Sequence, residues 1–65
     1  MDNKLVSDTR ERILDVAERL FMERGYEATS LRMVTGAAEV NLAAVNYHFG
    51  SKEGLLREVD RKSVV

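Results

Sequence analysis

The residues able to do chemistry are concentrated in one stretch, Asn41 to Leu56, read as NLAAVNYHFGSKEGLL. Around the apolar pair Val45 and Phe49 it presents Leu42, Ala43, Ala44, Asn46, Tyr47 and His48, with no carboxylate among them. Small side chains let a helix approach base edges closely, and Asn, Tyr and His can hydrogen-bond phosphates or bases. That set suits a short exposed helix lying in a DNA groove. Lys52 follows in the first turn of another helix, where a cation opposes the helix dipole. A phosphate beside it would reverse the penalty, because ammonium, dipole and backbone N–H groups would all point at one anion. A solvated surface lysine is the alternative. A helix-terminal charge worth only ~0.3–1 kcal/mol does not decide between them. Arg32, in the first turn of an earlier helix, poses the same choice.

Other chemistries find little support. The chain has one histidine and no cysteine, so it offers no thiolate site and no Cys–His pair. No paired carboxylates stand where a core could desolvate them. His48 beside Tyr47 reads as a phosphate donor rather than a base or a metal ligand. No catalytic residue, metal or cofactor is expected.

The elements that must hold these groups follow from spacing. Asn41 is a suitable N-cap. Val45 and Phe49, four apart, share one helix face and can anchor it to a core. Gly50 can end that helix in a left-handed conformation, and Ser51 can cap the next. Upstream, Asp8 and Glu11 read as a capping box. Ile13, Val16, Ala17, Leu20 and Phe21 then form an apolar stripe, opposite a self-paired charged face of Arg12, Asp15, Glu18, Arg19 and Glu23. Gly25 stops this helix, and Tyr26 can fold back on Phe21. Thr29 or Ser30 caps a second helix whose inward stripe is Leu31, Val34, Thr35 and Ala38. Gly36 weakens that helix by roughly 1 kcal/mol relative to Ala. Ala38 to Asn41 is a tight turn with Val40 tucked between two short helices, which makes a helix-turn-helix. The fold class expected is all-α: a three-helix, homeodomain-like helix-turn-helix bundle plus the start of a fourth helix carrying Leu55, Leu56 and Val59. Residues 1–7 read as a flexible arm, where Lys4 is solvated or touches a phosphate. Residues 8–50 read as the helix-turn-helix domain and 51–65 as the fourth helix. That helix reaches Val64 and Val65 without a stop signal, so a continuation into a longer protein is expected.

Length and charge bound the reading. Sixty-five residues form one small domain with a marginal core. The net charge of −1 is low for a DNA binder. Residues 1–28 hold five basic and seven acidic side chains, and residues 29–65 hold five basic and four acidic. The half with the groove-reading helix is thus slightly positive, and modest affinity per copy is expected. No signal peptide or membrane-length apolar run is present, so a cytoplasmic location is expected.

The run from Thr9 to Leu56 resembles the N-terminal DNA-binding domain of the tetracycline-repressor (TetR) family of transcriptional regulators. The matching pieces are Ile13-Leu14-Asp15 with Ala17 and Leu20-Phe21, then Arg24-Gly25-Tyr26, then Ala28-Thr29-Ser30-Leu31-Arg32. Val40-Asn41, Val45-Asn46-Tyr47-His48-Phe49 and Ser51-Lys52-Glu53 complete them. The resemblance implies backbone contacts at Ser30 and Arg32, and base-edge contacts at Leu42, Ala43, Ala44 and Asn46. It further implies phosphate contacts at Tyr47, His48 and Lys52, with Asn41 as cap. It implies a palindromic double-stranded DNA operator, and a homodimer held by a C-terminal domain that is not in this sequence. That missing domain would also bind a small-molecule effector, so this stretch alone would be monomeric or weakly associated. Two positions depart from the family. Glu39 stands where Gly is usual, so the turn is either strained or differently formed. Thr35 replaces Ala, harmlessly if its hydroxyl bonds back to the helix.

The function expected is sequence-specific DNA binding by a transcriptional regulator, a repressor by family habit. The competing reading is a helical protein-interaction module, with Leu42, Tyr47, Val64 and Val65 as an apolar patch.

Overall fold

With no proline, and glycine only at positions 25, 36, 50 and 54, few points force a helix to stop. The computed structural model describes the backbone of residues 2–63 and the side chains of residues 9–62. Four helices follow one another: α1 (Asp2–Arg24), α2 (Leu31–Ala38), α3 (Leu42–Phe49) and α4 (Lys52–Ser63). No strand occurs among the described residues.

The start of α1 differs from expectation. The helix begins at Asp2, so residues 2–7 are helical rather than a loose arm, and Asp8 lies inside the helix rather than capping it. Nothing in this segment breaks a helix, and extending an existing helix gains one backbone bond per residue fixed. The side chains of Lys4 and Asp8, and all of Val64 and Val65, lie outside the described residues.

α1 packs against α2, α3 and α4. The core is Ile13, Leu14 and Ala17 from α1, Val34 and Ala38 from α2, Val45 from α3, and Leu55 and Val59 from α4. Val16, Leu20, Phe21, Leu31, Val40, Ala44 and Phe49 close its margin. Burying each large aliphatic chain stabilises by about 1.5–3 kcal/mol, which is what such a small domain depends on. Leu14 lies outside the period-based stripe yet is buried. A helix with neighbours on more than one side must be apolar over a wider arc than one stripe.

The α1–α2 connection is tied by one side chain. Gly25, at φ 89°, ends α1. Thr29 is 1% exposed, and its hydroxyl donates to the Gly25 carbonyl at 2.8 Å and lies 3.2 Å from the Leu20 carbonyl. The buried Thr29 hydroxyl is thereby satisfied while it fastens the turn to the end of α1. Ser30 is the cap of α2, its Oγ accepting from the Met33 N–H at 3.2 Å. Across the α1–α4 seam, Arg10 bonds Glu58 at 2.9 Å and Lys62 reaches both Glu11 and Asp15.

Candidate nucleic-acid interface

The α2–α3 turn is built as a left-handed cap. Glu39 sits at φ 60°, ψ 47°, and its N–H donates to the Thr35 carbonyl. The Val40 N–H donates to the same carbonyl at 3.1 Å. Positive φ is therefore required here, and Glu39 carries the strain that a glycine would not. Thr35 bonds back through its hydroxyl to the Arg32 carbonyl at 2.9 Å, as a tolerated helix threonine does.

Asn41 is the N-cap residue of α3, in extended conformation, but its side chain makes no capping bond. Its carbonyl accepts from the Ala44 N–H at 3.0 Å, so the first turn closes through backbone. This corrects the expected side-chain cap and leaves the exposed Asn41 amide available to a ligand. Along α3, Val45 is fully buried and Phe49 half-buried, as their spacing requires. The inward stripe is wider than that pair. Ala44 packs against the core margin and His48 is half-buried, so residues 44, 45, 48 and 49 form one face. The i, i+1, i+4, i+5 pattern is the ordinary width of a packed helix face. Ala44 and His48, both expected on the outward face, are instead half-buried at its edge. The outward residues are Leu42, Ala43, Asn46 and Tyr47, with Leu42 50% and Tyr47 83% exposed. His48 lies beside Tyr47, its ring edge-on at 5.2 Å between centroids.

At the α3–α4 junction Gly50 has positive φ, 82°, but ψ of −41°, outside the left-handed helical well that was expected. Ser51 caps α4, its Oγ accepting from the Gly54 N–H at 3.1 Å. Lys52 is thereby the first residue of α4, and Arg32 is exposed in the first turn of α2. Neither has a carboxylate partner among the described residues, whereas Arg10, Arg61 and Lys62 do. Ser30, Arg32, the outward face of α3 and Lys52 thus all stand at helix starts or on exposed helix surface.

Two participants were not anticipated. The Lys52 ammonium lies over the Tyr26 ring, 4.3 Å from its centroid. The Arg10 guanidinium lies over the Phe49 ring at 5.5 Å, joining α1 to the inner side of α3. Both pairs are remote in sequence, and no local spacing signals them. No group of three potential metal-ligating side chains occurs among the described residues.

Comparison with known proteins adds ancestry to this geometry. Residues 13–59 match the family described as bacterial regulatory proteins, tetR family. The chain is 44% identical over 52 residues to the HTH-type transcriptional regulator AcrR of Shigella flexneri, covering 80% of this chain and 24% of that protein. It is 40% identical over 55 residues to the HTH-type transcriptional repressor KstR2 of Rhodococcus jostii, covering 85% of this chain and 27% of the relative. The crystal structure of HlyIIR, a hemolysin II transcriptional regulator, superposes with a TM-score of 0.86 at 42% identity, covering 92% of this chain and 34% of that one. The chain therefore spans about a quarter of the length of these curated relatives. A four-helix bundle with the α2–turn–α3 unit, matched by the family over most of its length, belongs to the tetR family of bacterial regulatory proteins.

Proposed function

We propose that this chain is the sequence-specific double-stranded DNA-binding domain of a transcriptional repressor. α2 is braced over the sugar–phosphate backbone through Ser30 and Arg32, and α3 enters the major groove. Leu42, Ala43 and Asn46 meet base edges, with Leu42 suited to a thymine methyl and Asn46 to adenine. Asn41, Ala44 and His48 line the edge of that contact, and Tyr47 and Lys52 hold phosphates. Two copies, joined through a further domain that also binds a small-molecule effector, read the halves of a palindromic operator. A regulator of this kind works in the bacterial cytoplasm, beside the chromosome.

The observation that carries the reading is the division of α3. Val45 is fully buried while Leu42 and Tyr47 on the same two-turn helix are among the most exposed apolar side chains of the described residues. An outward face of small, apolar and amide side chains without a carboxylate suits close approach to base edges and phosphates. The low net charge is compatible, because Glu11, Asp15 and Glu58 are engaged across the α1–α4 seam while Arg32 and Lys52 have no carboxylate partner among the described residues.

The test begins by selecting bound duplexes from a random pool and titrating the winner at several salt concentrations. Tyr47→Ala and Lys52→Ala are expected to weaken binding to all sequences alike. Lys52→Ala also lowers the log–log salt slope by about 0.9, because one phosphate fewer is neutralised. Asn46→Ala is expected to relax preference at one base pair, worth about 1–3 kcal/mol. Unchanged affinity and slope in Lys52→Ala would refute the reading.

A further inference from the structure

We propose that Tyr26 is a positioning residue for DNA binding: its ring, fixed in the α1–α2 turn, holds the Lys52 ammonium where a backbone phosphate will meet it. This rests on the function proposed above and adds a residue that touches no DNA in it.

Tyr26 and Lys52 are both half-buried and lie on different elements. The Lys52 Nζ stands 4.3 Å from the Tyr26 ring centroid, well inside the ~6 Å reach of a cation–π contact. The ring itself is held firmly. It leans on Phe21, with centroids 5.5 Å apart and planes inclined by 50°. Its backbone is fixed by Gly25 N–H to the Phe21 carbonyl at 2.8 Å and by Thr29 N–H to the Tyr26 carbonyl at 3.2 Å. The Thr29 hydroxyl closes the same turn on the Gly25 carbonyl and reaches α1 at the Leu20 carbonyl, 3.2 Å away. A lysine on a flexible four-carbon stem is thus steered by a rigid turn far away in sequence.

The choice of an aromatic partner has a chemical consequence. A carboxylate beside Lys52 would fix it equally well but would cancel its charge and compete with the phosphate. A ring face attracts the ammonium through its quadrupole and leaves the full positive charge in place. The lysine is ordered before the duplex arrives, so less side-chain freedom is lost on binding.

The experiment is a double-mutant cycle on the chain, read as affinity for a duplex of mixed sequence at low salt. Tyr26→Leu is expected to weaken binding about two- to tenfold, the cost of ordering one long side chain. Tyr26→Phe, which keeps the ring, retains wild-type affinity. In a Lys52→Ala background, Tyr26→Leu causes no further loss. In the free protein the Lys52 Cε protons are shifted upfield by the ring, a shift kept in Tyr26→Phe and abolished in Tyr26→Leu. Circular dichroism reports whether each variant is folded, and the Tyr26→Phe comparison and the proton shift carry the inference if Tyr26→Leu is not. Losses from Tyr26→Leu and Lys52→Ala that simply add, or Lys52 protons without the upfield shift, overturn the positioning role and leave the DNA-binding reading standing. Lys52→Ala without effect on measurable binding overturns both.

Discussion

Replacing Glu39 by glycine should stabilise this domain. Glu39 holds φ 60°, ψ 47°, the left-handed well in which an L side chain crowds its own backbone. That crowding costs about 1–2 kcal/mol. Glycine removes it but loses about 0.5–1 kcal/mol more conformational freedom on folding, so a net gain of roughly 1 kcal/mol is expected from Glu39→Gly. In a domain of this size 1 kcal/mol moves Tm by about 4–8 °C. The assay is urea unfolding followed by helical circular dichroism, where the midpoint should rise with an unchanged slope. Glu39→Ala is the necessary control. It removes a carboxylate from the negative end of the α2 dipole, worth ~0.3–1 kcal/mol, but keeps the backbone strain. Glycine must therefore exceed alanine. Equal midpoints for the two variants would refute the strain account and assign any gain to charge alone.

Two helical glycines should respond oppositely to alanine. An added Cβ at Gly36 meets nothing within 4 Å, so Gly36→Ala should stabilise α2 by about 1 kcal/mol in the same unfolding assay. At Gly54 the added Cβ would overlap the Phe49 carbonyl oxygen, a backbone atom, so Gly54→Ala should destabilise by about 1–3 kcal/mol despite its better helix propensity. The third expectation concerns pH. The Lys62 ammonium is held above its ordinary value of 10.5, first of all by its hydrogen bond to Asp15 and then by the charges of Asp15 and Glu11. A raised folded value gives stability that is complete below 10.5 and is lost as pH rises through the higher folded value. The pair is solvent-accessible, so the loss should be at most about 1 kcal/mol, and Lys62→Met should flatten that part of the stability curve.

What the sequence made legible was local. Gly25 and Gly50 stop helices through positive φ, and Ser30 and Ser51 cap them, because those roles depend on a few adjacent residues. Val45 appears inward and Tyr47 outward for the same reason, helical spacing. The width of each packed face was not legible. Leu14, Ala44 and His48 turn inward because of which neighbours surround α1 and α3, and a single periodic stripe does not contain that information. Asn41 looked like a side-chain cap by residue type, yet its backbone carbonyl alone closes the turn. Asp2 to Ser7 looked structureless because it lacks a period, yet a helix can extend through any segment that does not break it. The ring contacts of Tyr26 with Lys52 and of Arg10 with Phe49 join residues far apart in the chain, and only the fold brings them together.

α3 contains eight residues, barely two turns, and such a length has no independent helical stability in water. Its stiffness is on loan from Val45, Phe49 and the helices behind them. A synthetic peptide spanning residues 41–50 should be a random coil, blind to any duplex. Occupancy of a target then tracks the folded fraction of the whole bundle, so a substitution as remote as Ile13 or Val59 weakens the DNA binding proposed above without altering which bases are preferred. In a genetic screen, loss-of-function alleles would accumulate at interior positions, while altered-specificity alleles would be confined to a few outward positions of one short rod.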